Sequence, residues 1–270
     1  MVDLEFTGEY VVPGKTPYAT YQQHIGRYIF AGGFVKDKVV LDVACGTGYG
    51  TRHLLTRGAK RVVGIDISVD AINYARKKYS NGEGLDFVHA DAANLPFPVL
   101  TFDIIVSFET IEHLEDQGKF LAECKRALKS GGLFISSTPN KKISSPYSEK
   151  PINPFHIREL YPEEFRHLLR QCFANITLYG QCDTNLVKRR IIRAGLNILP
   201  AIPGGGIIKN LLRKVIFSQN SDLSVKNSEE VTNEIAEQTL EKRYKVHKFN
   251  NSAVKTPAYI IAIAEKKAGG

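Results

Sequence analysis

Cysteine is scarce in this chain of 270 residues, which has only four. Cys45, Cys124, Cys172 and Cys182 are scattered, and no two of them form a C-x-x-C pair. The pattern therefore indicates neither a zinc site nor a framework of disulfides. We expect a protein that works in a reducing compartment.

Long apolar runs are also missing. No stretch of about 18 uncharged apolar residues occurs, so the sequence predicts no membrane-spanning helix. The first ten residues, MVDLEFTGEY, lack the basic and then apolar pattern of a secretory signal peptide. We therefore expect a soluble, cytoplasmic protein. Apolar residues still make up 43% of the chain, which is ample for the core of one large α/β domain, with or without a cap.

Acidic residues are absent from residues 185–217, which carry seven lysines and arginines. Because the net charge of the whole chain is +8, the remainder is close to neutral. A nucleic-acid-binding protein more often spreads basic residues over its main face, so we expect no nucleic-acid partner. Apolar residues at helical spacing in 207–216 predict a basic amphipathic helix. It is either a cap helix or a surface for peripheral contact with an anionic membrane or a lipid-linked substrate.

Short apolar strands alternate with amphipathic helical segments along most of the chain, which predicts a mainly parallel sheet. The predicted strands cover residues 39–43, 61–67, 86–90, 103–107, 133–138, 174–180 and 258–264. About seventy residues separate the last two strands, far more than an ordinary connection. We expect a helical lid (1–36), a core (37–184), a helical cap inserted before the last strand (185–256), and the last strand with a tail (257–270).

The stretch LDVACGTGYG, residues 41–50, leads from the first predicted strand through a glycine-rich turn into a helix. Gly46, Gly48 and Gly50 let backbone N–H groups approach a ligand closely, ahead of a helix N-terminus. Their spacing is G-x-G-x-G, whereas a nicotinamide-dinucleotide site reads G-x-G-x-x-G. Asp42 would repel a pyrophosphate and suits a ligand that carries an ammonium and a sulfonium group. An NAD-binding oxidoreductase and an ordinary strand-to-helix turn remain the alternatives.

Three carboxylates follow one another at the ends of the first three predicted strands, as Asp42, Asp66 and Asp91. Ligands of parallel α/β sheets bind beyond the carboxyl ends of the strands, so we expect these side chains at one site. A single such residue is commonly a helix cap or a buried hydrogen-bond acceptor, and for Asp91 that alternative has equal weight. The three together favour recognition of an adenosyl group.

The glycine-rich turn resembles motif I of the class I S-adenosylmethionine (SAM)-dependent methyltransferases, with Ala44 where that family usually has its first glycine. SFETIEHLED (107–116) and FISSTPNK (134–141) resemble motifs of the methyltransferase type 11 group, which is related to the ubiquinone-biosynthesis O-methyltransferase. With motif I, they cover most of residues 35–180. The resemblance implies a Rossmann-like, seven-stranded, mostly parallel sheet with helices on both faces and a late antiparallel strand.

The resemblance also implies SAM as cofactor, S-adenosylhomocysteine as product, and a set of core residues that bind SAM. These are Asp42, Ala44, Cys45, Gly46, Gly48, Asp66, Ile67, Asp91, Ala92, Ser107 and Phe108. In this family Asp66 would accept both ribose hydroxyls, Ile67 would pack on the adenine, and Asp91 would accept from the adenine amino group. Asp42 and the backbone of residues 44–48 would hold the methionine portion.

A narrower resemblance concerns EYVVPG, QHIGRYIFA and STPNK…SP…NPFHIREL, which look like methyltransferases encoded among glycan biosynthesis enzymes. There the usual segment is E-H-x-x-R-Y, and Gln23 replaces its acid here. The resemblance implies that Tyr21, His24 and Arg27 close over the methionine end of SAM. It favours transfer to an oxygen of a sugar or another small molecule. The alternatives are a quinone precursor or similar lipid-like phenol as acceptor, and a SAM-binding module without catalysis.

A hydroxyl acceptor must lose a proton during methyl transfer, and a neutral histidine can take it. His113 and His156 are the candidate catalytic residues. Each has a structural alternative, because His113 could orient Glu112 and His156 could hold the NPFH turn by hydrogen bonds. Glu109 and Glu112 could assist or bind a divalent metal, but their spacing matches no established metal motif. We therefore predict no metal site from the sequence.

Overall fold

A computed structural model describes residues 10–80, 82–182, 246–249 and 256–267 of the chain. The helices are α1 (Tyr18–Gly32), α2 (Tyr49–Thr56), α3 (Val69–Tyr79), α4 (Gln117–Ala127), α5 (Lys141–Ser144) and α6 (Pro162–Arg170), with a 3-10 helix at Ile111–His113. The strands are β1 (Val39–Val43), β2 (Arg61–Asp66), β3 (Leu85–His89), β4 (Phe102–Phe108), β5 (Leu128–Pro139), β6 (Ala174–Gln181), β7 (Val246–Lys248) and β8 (Tyr259–Glu265). Within these ranges, no helix has the length and apolar character that crossing a bilayer requires.

The eight described strands form one sheet in the order β3-β2-β1-β4-β5-β8-β6-β7. Neighbouring strands from β3 to β5 are parallel. Strand β8 runs antiparallel to both β5 and β6, and β7 runs antiparallel to β6. The predicted α/β sheet, mainly parallel with a late antiparallel strand, is confirmed, but it has eight strands where seven were predicted.

Strand β7 is the additional strand. It falls in the segment 185–256, which was predicted to be helical, and pairs with Tyr179–Gln181 of β6. Three residues are too few to show the alternation by which a strand is recognised in a sequence. Residues 185–245 and 250–255 lie outside the described residues. The basic amphipathic helix at 207–216 and the boundaries of the predicted cap therefore stay predictions.

Local sequence sets the starts of the helices beside the sheet. Ser68 precedes α3, and its Oγ accepts a hydrogen bond from the backbone N–H of Ala71 at 3.2 Å. Asp116 precedes α4, and its Oδ1 accepts from the N–H of Lys119 at 2.8 Å. Each cap is worth about 1 kcal/mol. The central strands are apolar and buried on both faces, as in other parallel sheets covered by helices.

Helix α1 packs directly on the start of α2. The ring of Tyr28 lies so close to Gly50 that a Cβ at that position would be 2.1 Å from its Cζ atom. The ring also contacts Phe108, with the two ring centroids 5.0 Å apart and the rings nearly perpendicular. Only glycine at position 50 allows this close approach of the two helices.

We expect Gly50→Ala to lower the free energy of unfolding by about 1–3 kcal/mol, as overpacking of a buried contact does. The loss outweighs the roughly 1 kcal/mol by which alanine favours a helix over glycine. Gly82→Ala is the matched control, because a Cβ there has no atom within 4 Å. Urea unfolding of both variants measures the difference, and equal midpoints for the two would contradict this close packing.

Candidate active site

The glycine-rich turn between β1 and α2 adopts a left-handed backbone at several positions. The φ angles are +53° at Gly46 and +79° at Gly48. A Cβ on Gly48 would lie 2.6 Å from the Phe87 ring and 2.8 Å from the Cβ of Ala75, so glycine is required there. Ala44, which departs from the family pattern, has a φ of +59°. That left-handed conformation raises the free energy of a non-glycine residue by about 1 kcal/mol or more.

Asp66 ends β2 and is tied to this turn. Its Oδ2 accepts from the backbone N–H of Gly46 at 2.8 Å, and its Oδ1 accepts from the N–H of Ser68 at 2.9 Å. Burial raises the pKa of the carboxyl group, while the backbone donors act in the opposite direction. A carboxylate offers about four lone pairs, so Asp66 keeps the capacity to accept two further hydroxyls.

Asp42 is fully buried and lies close enough to Asp66 for the two charges to interact. Its Oδ2 accepts from the Thr51 hydroxyl at 2.7 Å, and the Tyr28 hydroxyl donates to its Oδ1 at 3.2 Å. Burial raises the pKa of Asp42 to about 7, against the effect of these two donors. The side chain is thus held inside the protein, and its predicted role at the methionine portion of SAM stays a prediction.

Asp91 lies beside Asp66 along the same edge of the sheet, because the N–H of Ala90 donates to the Asp66 carbonyl at 3.1 Å. The Asp91 side chain is exposed and accepts from the N–H of Ala93 at 2.8 Å, so it does cap a local turn. Ala92 beside it is half-buried. Ile67 follows Asp66 and is 71% exposed. An apolar side chain of that size, open to solvent beside two carboxylates, suits contact with a flat ring.

A row of aromatic rings runs from α1 across the turn to the end of β4. The ring centroids are 5.4 Å apart for Tyr21 and Tyr49, 5.7 Å for Tyr49 and Tyr28, and 5.0 Å for Tyr28 and Phe108. Burial raises the pKa of Tyr21 to about 12, so these rings stay neutral. Aromatic faces attract cations such as a sulfonium. Ser107, before Phe108, is fully buried, and its Oγ has no hydrogen-bond partner among the described residues.

Arg27 of α1 is fully buried. Its Nη1 donates to the Oε1 of Gln181 at 2.8 Å, and its guanidinium lies 4.5 Å from the centroid of the Tyr259 ring. Its Nε and Nη2 have no hydrogen-bond partner in the part of the chain that is described. A buried guanidinium with unpaired donors is costly, and an anionic group such as a carboxylate would satisfy it. Burial and nearby Arg27 hold the pKa of half-buried His24 well below its usual value.

Gln23, which replaces the acid of the E-H-x-x-R-Y segment that this stretch resembles, is part of the same network. Its Oε1 accepts from the Tyr259 hydroxyl at 3.2 Å, and its backbone carbonyl accepts from the Nε2 of Gln181 at 3.0 Å. The replacement therefore keeps α1 attached to β6 and β8. It also leaves residue 23 without a charge that could neutralise the Arg27 guanidinium.

The two candidate catalytic histidines meet in the structure. Their ring centroids are 4.9 Å apart with the rings nearly perpendicular. The Nδ1 of His113 lies 2.8 Å from the Phe155 carbonyl oxygen, and the Nδ1 of His156 lies 2.7 Å from Oε1 of Glu159. Because both partners only accept, each Nδ1 carries a hydrogen, which in a neutral imidazole leaves the lone pair on Nε2.

Two acidic groups adjoin this pair. Glu159 is almost fully buried, and the Ser144, Ser145 and His156 side chains lower its pKa in spite of the opposite effect of burial. Glu112 has no exposed surface. Its Oε2 accepts from the Thr138 hydroxyl at 3.1 Å, and burial, with nearby Glu109, raises its pKa well above the usual value.

The sequence did not predict several residues that hold the side chains of the site in place. Thr51 and Tyr28 hold Asp42, while Gln181 and Tyr259 hold Arg27. Their partners are mostly distant in the chain, so no local pattern marks them. Glu159 is different, because it follows His156 by three residues, the spacing at which side chains meet across one turn.

Comparison with known proteins identifies this arrangement. Residues 41–136 match the family described as a methyltransferase domain. A "probable S-adenosylmethionine-dependent methyltransferase" of Mycolicibacterium smegmatis is 35% identical over 214 residues, which is 79% of this chain and 79% of that protein. The chain belongs to the class I SAM-dependent methyltransferases.

A fatty-acid O-methyltransferase of M. smegmatis is 34% identical over 119 residues, or 44% of this chain and 43% of that protein. A SAM-dependent methyltransferase of Thermotoga maritima shares the fold, with a TM-score of 0.57 and 16% identity over 92% of both chains.

The residues of this methyltransferase fit SAM. The turn at Gly46 and Gly48 is left-handed and poor in side chains, Asp66 accepts from the N–H of Gly46 within it, and the unpaired donors of Arg27 suit a carboxylate. An NAD-binding oxidoreductase and a SAM-binding module without catalysis, the alternatives left open by the sequence, are both set aside by the family. The contact of each individual residue with SAM stays a prediction.

Proposed function

We propose that this methyltransferase transfers the methyl group to a hydroxyl oxygen of a small molecule, and that the acceptor is a sugar or a glycan intermediate. The observation that carries the proposal is the pair of histidines, His113 and His156, whose Nδ1 atoms are both held by acceptors. A hydroxyl needs a proton acceptor before it can attack, and the lone pair on Nε2 of an oriented imidazole provides one.

SAM supplies the methyl group on a sulfonium, and the reaction is an in-line displacement. The chain aligns the reactants and excludes water. The acceptor proton passes to Nε2 of one histidine as the new oxygen–carbon bond forms and the carbon–sulfur bond breaks. For His156 the acceptor hydroxyl must replace the Asn153 amide, which lies 2.9 Å from Nε2. Glu159 is a positioning residue, which orients His156 and stabilises its protonated form through the 2.7 Å contact at Nδ1.

The polar character of the site supports a sugar. Glu109 is half-buried, and its Oε1 accepts from the Ser137 hydroxyl at 2.8 Å. Glu109 interacts electrostatically with Glu112, which lies beside the two histidines, so Glu109, His113 and His156 provide several hydrogen-bonding groups around one region. A ring with many hydroxyls can use such groups, whereas a hydrocarbon would leave them unpaired at a cost.

A lipid-like acceptor is the second candidate, because the 139–160 loop carries large apolar side chains in contact with solvent. The exposed ones are Tyr147, Ile152, Phe155 and Ile157. The similarity to a fatty-acid O-methyltransferase also supports a lipid-like acceptor. The predicted membrane contact of residues 185–217 lies outside the described residues and stays a prediction.

An acceptor panel tests the proposal. The enzyme is incubated with SAM and, separately, neutral oligosaccharides, a catechol, and a long-chain fatty acid. S-adenosylhomocysteine and the methylated product are measured by mass spectrometry, with a reaction lacking acceptor as control. We expect kcat/KM to be highest for a saccharide. Product from the catechol or the fatty acid alone would overturn the sugar assignment in favour of the second candidate. Methylation of amines alone would overturn O-methylation itself.

A further inference from the structure

Glu112, His113 and His156 come together although 43 residues separate the two histidines. One ligand atom from each of the three lies within 4.8 Å of the others. Backbone hydrogen bonds hold the two segments in register, since the N–H groups of Ile157 and Arg158 both donate to the Glu112 carbonyl, at 2.8 and 3.1 Å. The cluster is therefore part of the folded framework.

The hydrogen bonds at Nδ1 of the two histidines have the pattern that is typical of metal-bound histidines. A metal-bound histidine almost always donates its other ring N–H to a carbonyl or a carboxylate, which fixes the tautomer and the ring orientation. His113 does so to the Phe155 carbonyl at 2.8 Å, and His156 does so to the Glu159 carboxylate at 2.7 Å. In both rings the remaining nitrogen is Nε2.

Glu112 provides an independent observation. It has no exposed surface, and its Oε1 has no hydrogen-bond partner among the described residues. A buried carboxylate oxygen without a partner is costly. The negative charge of Glu109 acts unfavourably on a charge at Glu112, and this effect is larger than the favourable one of Arg27. A cation bound to Glu112 would satisfy the orphaned oxygen.

We propose that Glu112, His113 and His156 bind one divalent transition-metal ion, and that this ion receives the hydroxyl of the acceptor. Two imidazoles and one carboxylate favour Zn²⁺ or Mn²⁺ over Mg²⁺, which prefers oxygen ligands. Three protein ligands leave a position open, as catalytic zinc sites do. With metal–ligand bonds of about 2.1 Å, the side chains must close by roughly 1 Å. Nε2 of His156 must also exchange its 2.9 Å contact with the Asn153 amide for the ion.

The inference rests on the proposed O-methylation and specifies how the hydroxyl is activated. Binding to the ion lowers the pKa of the hydroxyl, its proton leaves to solvent, and the oxygen attacks the methyl carbon as the carbon–sulfur bond breaks. No oxidation or reduction occurs. With the ion in place the histidines are ligands; without it, one of them is the base, so removal of metal separates the two mechanisms.

Calorimetric titration of tag-free, EDTA-treated enzyme with ZnCl₂ and with MnCl₂ tests the site. We expect one equivalent of either ion to bind, with Mg²⁺ at least tenfold weaker. Glu112→Gln and His156→Gln should each weaken binding by at least about tenfold. Exposed Glu115→Gln and His167→Gln are the matched controls and should bind as wild type does. Circular dichroism and SAM titration confirm that each variant is folded.

Wild-type enzyme that binds neither Zn²⁺ nor Mn²⁺ stoichiometrically overturns the metal site, as does unchanged binding by both folded site variants. Undiminished methylation of a hydroxyl acceptor by metal-free enzyme overturns the role of the ion while O-methylation stands. If the ion binds and no hydroxyl acceptor is methylated, the metal site stands and the proposed function fails.

Discussion

Asp66→Ala is expected to weaken SAM binding by at least about 100-fold. The carboxylate is held by the N–H groups of Gly46 and Ser68 at the end of β2, and in the resemblance it accepts both ribose hydroxyls. A hydrogen bond to a charged group contributes about 1.5–3 kcal/mol. Loss of two therefore removes 3 kcal/mol or more, and every 1.4 kcal/mol is a factor of ten in affinity. Isothermal titration with SAM measures the change.

The control must separate ligand contact from support of the turn, because Asp66 also holds Gly46. Asp66→Asn keeps one carbonyl acceptor and should fall between the wild type and Asp66→Ala. Asp86→Ala removes an exposed carboxylate of β3 that pairs with Arg61 on the surface, and such a pair contributes little. SAM affinities that are the same for Asp66→Ala and Asp86→Ala would remove Asp66 from the site.

His156→Gln is expected to lower kcat by about 10²–10⁴, the usual contribution of general acid–base catalysis. The dissociation constant for SAM should stay within about twofold, because the histidine pair is predicted to serve the acceptor. For His113→Gln we also expect a lower kcat and a nearly unchanged dissociation constant for SAM. Single-turnover rates and SAM titration, measured on the same protein samples, give the two quantities separately.

His167→Gln is the control for a lost histidine, because His167 is exposed on α6. Glu159→Gln provides a graded variant, since it keeps a side chain of similar shape at the Nδ1 of His156 but removes the charge. We expect kcat of Glu159→Gln to fall between the values for the wild type and His156→Gln. A collapse of SAM affinity in His156→Gln would place that residue in the cofactor site, and an unchanged kcat would remove it from the acceptor site.

Residues close in sequence carried most of the correct predictions. The apolar runs at 39–43 and 61–67 became β1 and β2, because buried parallel strands are continuous apolar segments. The glycines at 46 and 48 predicted a turn that is poor in side chains, and the structure shows that both residues adopt a left-handed backbone there. Strand β7 was missed, since three residues carry too little periodicity to be recognised.

The surroundings of Asp42 could not be predicted in the same way. Its position at the end of β1 followed from the sequence, but its full burial and its bond from the Tyr28 hydroxyl depend on how α1 packs on the sheet. The same holds for Arg27, whose hydrogen-bond partner Gln181 is 154 residues away. A distant partner leaves no trace in local periodicity.

Local chemistry along the chain was thus enough to predict the α/β sheet, because strand ends and turns follow from neighbouring residues. The resemblance of its motifs to a known family gave the cofactor, and the edge of the sheet where it binds stays a prediction. Folding decided which side chains from separate segments meet: His113 with His156, and both with Glu112. The physical reason is that hydrogen bonds and charge interactions act over a few ångströms in space, whatever the separation along the chain.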